Sequence, residues 1–365
     1  MMLFPSRIRR AMAYCLLIIF FATSPVRETP AAPLSDSSFP STSLSHKING
    51  MRFTETRPYT WQLSRSDAET VAVAVARDRA VRTVMRMLVS LPEIKMAGSI
   101  GPARPAEPGL LAVATAVTRA KILLISVSKH ASTVTVTLAI DEGDAPAPIE
   151  NRIRDALMQP GRLELYEEAA LRESALTAEY DKLLPPEISD TAAASLRTFP
   201  GETLVAITGA VRELKALAIF TGTLPLYRGV WDTPSTALAA MREALVLAPE
   251  STLVRNVLGD VYLQTGRSQE AVEEQTRAIK TNPRFARAYH SRGMAFMALG
   301  HLSTAAADFS EATRLSPSTA AYYRDRGMLR HLSGDIGPMC EDLHRACSLG
   351  DCAKYHWASG ENICP

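Results

Sequence analysis

Surplus charge, cysteine, long apolar runs and catalytic signatures are all scarce in this chain. Forty Lys and Arg stand against 38 Asp and Glu in 365 residues, a net charge of +2. That leaves no basic excess for gripping a nucleic-acid backbone. Five Cys are too few for a miniprotein built on disulfides. No P-loop, GxSxG, HExxH, GxGxxG or CxxCH occurs, which removes the signature-bearing nucleotide-binding, hydrolase, metalloprotease and c-type haem classes. Acidic pairs such as Asp141-Glu142 and Glu273-Glu274 read as loop or helix-surface charges. No catalytic residue, cofactor or metal is expected. What is present, 47% apolar residues, can build real cores, and the length suits two domains and a linker.

Arg7, Arg9 and Arg10 precede an unbroken apolar run from Ala11 to Ala22. A bilayer span needs about 20 apolar residues, so this run reads as the charged and apolar regions of an export signal. Residues 1–24 are therefore taken as a signal peptide or signal anchor. If uncleaved, residues 11–22 would associate the chain with the inner membrane. Residues 25–47, rich in Ser and Pro, carry too little apolar surface to fold and read as a disordered linker.

Residues 48–158 read as a small α/β domain. A strand is expected within Met51 to Leu63. Ser66-Asp67-Ala68-Glu69 has capping-box spacing and predicts a helix from there to about Ser90, with Arg79, Arg82 and Arg86 on a solvated face. A short helix is expected from Leu110 to Val117. Thr133 to Ile140 alternates apolar and polar residues and pairs in an antiparallel hairpin with Lys121 to Ser128, and a further helix follows near Ile149 to Leu157. With the Ala76-Arg77-Asp78-Arg79-Ala80 stretch, these features resemble an amino-terminal domain of bacterial envelope proteins, which implies a non-catalytic role. Residues 159–232 form a helical connector of two pieces, Leu163 to Leu183 and Glu202 to Thr221.

The last third is periodic. Gly259, Gly293 and Gly327 lie 34 residues apart, and so do Gly266, Gly300 and Gly334. Pro249, Pro283 and Pro317 keep the same period, as do Ala244, Ala278, Ala312 and Ala346. Tyr289, Tyr323 and Trp357 form an aromatic column. A small residue where two helices cross, matched by Ala271 and Ala305, then Gly at the turn and Pro after the second helix, resembles the tetratricopeptide repeat. The repeats are placed at about 252–285, 286–319 and 320–353 within a domain of 233–365, and Thr236 to Ala248 fits only a second helix. The third repeat departs, with Met339 for Ala and Asp351 for Pro. The fold class is thus α+β: a small α/β domain, a helical connector and an α-α superhelix.

The resemblance implies a protein or peptide partner on the concave face lined by the first helices. By register that face holds Asn256, Asp260, Leu263, His290, Met294, Met297, Arg324, Met328 and His331. Met294, Met297 and Met328 would form an adaptable apolar floor, and Arg324 with Asn256 would hold a carboxylate or backbone. Against this stands a plainer alternative, in which the Met side chains pack under the connector and Arg324 pairs with Asp325 or Asp260. Asp260 and the two Met interrupt the carboxylate-clamp pattern.

Cys340, Cys347, Cys352 and Cys364 crowd the last 26 residues. Cys340 and Cys347 are about 10.5 Å apart along one helix, beyond disulfide reach. Two connectivities remain: 347–352 with 340–364, or 340–352 with 347–364. Either would staple a terminal helix containing Trp357 over the last repeat in an oxidising compartment. The ending from Ala346 to Cys352, with Trp357 and Cys364, resembles that of exported envelope proteins with such repeats. Zinc, with His344 and His356 nearby, is the rival reading. The function expected is a non-catalytic periplasmic or cell-envelope adaptor. The alternatives are a membrane-anchored structural protein whose repeat face packs on its own amino-terminal half, and a hydrolytic enzyme or metal-binding protein.

Overall fold

The structure is a computed structural model that describes residues 50–90, 111, 114–115, 118, 120–128, 132–140, 160–184, 198–224 and 231–364. The leader, the linker and the helix expected near residues 149–157 lie outside them. Contacts divide the chain into two units, one of residues 33–229 with 246–249, the other containing 230–245 and 250–365. The architecture is α+β, mostly helical with one small sheet.

In the first unit, β1 (Arg52–Pro58), β2 (Ala120–Ser128) and β3 (Thr133–Ile140) form an antiparallel sheet in the order β1-β3-β2. Register pairs Phe53 with Leu138 and Val127 with Val134. The period of two sends Val134, Val136 and Leu138 to the buried face. Thr54 and Thr56 on the opposite face bond across to Thr137 and Thr135 at 3.1 and 2.8 Å. Helix α1 (Arg65–Ser90) packs against β1 and β3. It buries Ala68, Ala72, Ala76, Ala80, Val84 and Leu88, one residue every four, as an amphipathic helix must.

The cap of α1 differs from the expected one by two residues. Ser64 Oγ accepts from the Asp67 amide at 3.1 Å, and Asp67 Oδ2 accepts from the Ser64 amide at 3.2 Å. Asp67 is the better partner because it also receives Lys215 Nζ at 2.8 Å. Burial raises the Asp67 carboxyl, but the Lys215 and Ser64 hydrogen bonds outweigh this and leave it below its ordinary value.

Helices α2 (Pro160–Leu183) and α3 (Gly201–Thr223) pack on α1 and on each other. Tyr180, Leu176, Ile207 and Phe220 are among the largest fully buried side chains, each contributing roughly 1.5–3 kcal/mol. The row of Arg on α1 is not simply solvated. Arg79 reaches Glu55 at 2.7 Å and the Thr54 carbonyl at 3.0 Å, and Arg82 reaches Ser174 Oγ at 2.7 Å. Among the described residues, no helix is long and apolar enough to cross a membrane.

The second unit begins with α4 (Pro234–Leu247) and continues in three helical hairpins: α5 (Thr252–Gln264) with α6 (Ser268–Thr281), α7 (Ala286–Ala298) with α8 (Leu302–Leu315), and α9 (Ala320–Ser333) with α10 (Ile336–Ser348). Helix α11 (Ala353–Gly360) packs on α10.

Each first helix ends alike. The Arg267 amide reaches the Tyr262 carbonyl at 2.8 Å, His301 reaches Phe296 at 2.9 Å and Asp335 reaches Arg330 at 2.9 Å. This closure needs a left-handed residue just before the donor, and Gly266, Gly300 and Gly334 supply it with φ of 75°, 80° and 81°. Gly350 repeats the device after α10, with φ 102°. Where α7 crosses α8, a Cβ on Gly293 would sit 2.9 Å from the Phe309 ring and 3.3 Å from the Ala305 carbonyl. Contact this close sets the spacing of the pair.

Candidate functional site

The nine residues expected on the first-helix face come from α5, α7 and α9, where the 34-residue period places them in equivalent registers. Their side chains join consecutive hairpins. Asn256 is fully buried. Its amide donates to Gln275 Oε1 at 2.8 Å and to Ser291 Oγ at 3.3 Å, and its Oδ1 accepts from Arg287 Nε at 3.0 Å. Arg287 also donates to Asp260 at 3.2 Å. Leu263 stays half-buried.

One hairpin further on, His290 Nε2 and Asp325 Oδ2 are 2.8 Å apart, and the imidazole stacks at 4.8 Å from the Tyr322 ring. Arg324 grips Asp325 through Nε at 2.7 Å and Nη2 at 3.0 Å, and reaches Asp351 through Nη1 at 2.8 Å. Burial would raise the Asp325 carboxyl, yet the Arg324 charge and the His290 hydrogen bond hold it well below the usual range. The Asp325 charge, acting against desolvation, in turn raises Arg324. Nearby, desolvation and repulsion from Arg324 depress the Lys354 ammonium.

Several expectations change as a result. Arg324 and Asn256 already satisfy groups of the protein itself, so neither is a free holder of an incoming carboxylate. A charged donor this well matched is costly to release. Met297 and Met328 are each only 7% exposed, inside clusters with Phe309 and Leu329 and with Met339 and Leu343. They pack inward instead of flooring an open face. Met294 lies at the margin of the first cluster, half-buried. His331 is half-buried and meets Trp357 edge-on at 5.4 Å. Leu263, Met294, His331 and the one-third-exposed Arg324 remain the accessible part of the patch, with the margins of Asp260 and His290.

Sequence reasoning missed a second periodic feature, an ionic ladder between the helices of each hairpin. Arg255 pairs with Glu274 at 3.1 Å. Arg292 takes Asp308 with two bonds of 2.8 Å, and Arg326 takes Asp342 at 2.9 and 2.7 Å, where Arg330 joins at 2.8 Å. The carboxylates Glu274, Asp308 and Asp342 are 34 residues apart, so an acidic column was there to be read beside the glycine columns.

The terminal cysteines form two disulfides, Cys340–Cys364 and Cys347–Cys352. This selects one of the two open connectivities. Cys364 is buried in the cluster of Met328, Met339, Leu343 and Ala358, so the first crosslink ties the chain end to the apolar side of the last hairpin. Met339, in the column that otherwise holds Ala, is fully buried there.

Comparison with known proteins agrees with this geometry. Residues 234–289 and 286–319 match family models described as tetratricopeptide repeat. Residues 234–319 are therefore tetratricopeptide repeats, an architecture of stacked hairpins whose extended concave surfaces serve protein interaction. No curated protein matches the chain.

Among solved structures, the chain is similar to the Arabidopsis OM64 TPR domain at 24% identity, over 31% of this chain and 94% of that one, with a TM-score of 0.30. It is similar to MamA from Desulfovibrio magneticus RS-1 at 17% identity, over 50% and 94%, with a TM-score of 0.30. A third likeness is to YrrB, titled a TPR protein with an unusual peptide-binding site, at 18% identity over 56% and 91%, with a TM-score of 0.32. At these scores the likenesses add nothing to the assignment, which rests on the family models and the repeat.

Proposed function

We propose that this protein is an exported adaptor of the bacterial cell envelope that holds an extended peptide segment or a partner helix against the first-helix face of its repeat array. The single observation that carries the reading is the array: three glycine-closed hairpins, the first two of them in residues that match tetratricopeptide-repeat family models. Leu263 and Met294 supply apolar contact and His331 a polar one, while the paired charges behind them keep the face rigid. A groove with its charges already paired favours an uncharged or apolar guest over an acidic tail. Export is supported by the basic and apolar leader and by the crosslinked cysteines, which suit an oxidising compartment.

The test uses the full chain in its native host with a photo-crosslinking residue in place of Leu263. The expected result is a crosslink to a separate protein that Met294→Glu abolishes. Only intramolecular crosslinks would refute the adaptor. An alkaline phosphatase fusion after residue 47, inactive in every host strain with intact export, would refute the compartment.

A further inference from the structure

We propose that, once its disulfide is reduced, the junction between α10 and α11 is a soft-metal site in which Cys347, Cys352 and His356 hold one zinc ion. Donor atoms of these three residues lie within 4.8 Å of one another, the one such trio among the described residues. Cys347 lies in the last turn of α10, Cys352 caps the start of α11, and His356 follows one turn later. Four-residue spacing on a helix puts Cys352 and His356 on the same side, and the turn at Gly350 brings Cys347 back to face them.

Backbone bonds hold this turn beside the crosslink. Gly350 donates to the Cys347 carbonyl at 2.9 Å, Asp351 to Ala346 at 3.0 Å and His356 to Cys352 at 2.9 Å. The donors therefore stay gathered when the sulfurs part. Both cysteines are half-buried and His356 is exposed, so an ion enters from solvent. The amino-terminal end of α11 favours negative charge at Cys352. Two thiolates and an imidazole suit zinc, with water in the fourth position.

The two states exclude each other. A dithiol gives two electrons and two protons to the Cys347–Cys352 bond and leaves as its own disulfide. Zinc then displaces both thiol protons, forming two Zn–S bonds and one Zn–N bond. Tetrahedral coordination at about 2.3 Å per Zn–S bond places the sulfurs about 3.8 Å apart, a small opening of the turn.

The experiment titrates zinc into the full chain, oxidised or reduced under argon, against a chromophoric chelator, with circular dichroism recorded on each sample. One equivalent is expected in the reduced protein and none in the oxidised protein. His356→Ala and Cys352→Ser should each weaken uptake at least tenfold, while Cys364→Ser, which leaves the trio intact, should retain the full equivalent. No uptake by the reduced chain, whatever its fold, would overturn the proposal. So would uptake unchanged in both His356→Ala and Cys352→Ser.

Discussion

Removing the Cys340–Cys364 crosslink with the double substitution C340A/C364A should loosen the carboxyl-terminal hairpin far more than C347A/C352A does. The sequence separations are 24 and 5. Loop-closure entropy then assigns about 3.4 kcal/mol to the long crosslink and about 2 kcal/mol to the short one. The long pair also removes a sulfur from the apolar cluster under α11, since Cys364 is only 4% exposed, which adds to the loss in that variant. At about 1.4 kcal/mol per factor of ten, local opening should rise about 300-fold for C340A/C364A and about 30-fold for C347A/C352A. Hydrogen exchange followed by mass spectrometry on peptides covering α10 and α11 reads this directly, because amide protection tracks the local opening equilibrium. Equal loss of protection in the two variants, or less than a tenfold loss in the first, would refute the reasoning.

Three further outcomes follow from the geometry. Gly293→Ala places a methyl group 2.9 Å from the Phe309 ring and is expected to destabilise the array by about 1–3 kcal/mol in urea unfolding. Asp342→Ala strands Arg326 and Arg330, both bonded to that carboxylate, and should lose about 3–5 kcal/mol; Glu311→Ala, which removes an exposed partner of Arg314, should change stability by less than about 1 kcal/mol. The Asp325 carboxyl has a depressed folded-state value, so its contribution is fully present above the unfolded value near 4 and is lost as pH falls through the folded one. Urea midpoints of wild type and Asp325→Asn should therefore differ at pH 7 and draw together in strong acid; an equal gap at both would contradict the pairing with Arg324 and His290.

The hairpins were legible because their determinants are local and recur. A glycine that must adopt positive φ, a proline that ends a helix and a small residue at a crossing each leave a column in the sequence. The β2–β3 hairpin was legible for the same reason, since Thr133 to Leu138 alternates. Misreadings arose where partners come from distant elements. Ser66 looked like the cap of α1, but Lys215 on α3 joins Asp67, and Asp67 caps with Ser64. For Arg324 the sequence left a ligand-holding role and a pairing with Asp325 both open; the structure shows the pairing, and adds Asp351 from the loop after α10 and His290, which reaches Asp325 from the preceding hairpin.

By itself the sequence determined the period, the helix stops and the exclusion of a Cys340–Cys347 bond, because these follow from backbone geometry over a few turns. Only the tertiary structure decided which cysteines pair and which side chains of the first helices remain accessible. Those outcomes depend on charges and sulfurs from separate helices arriving within about 3 Å of one another, a coincidence that no spacing along the chain encodes.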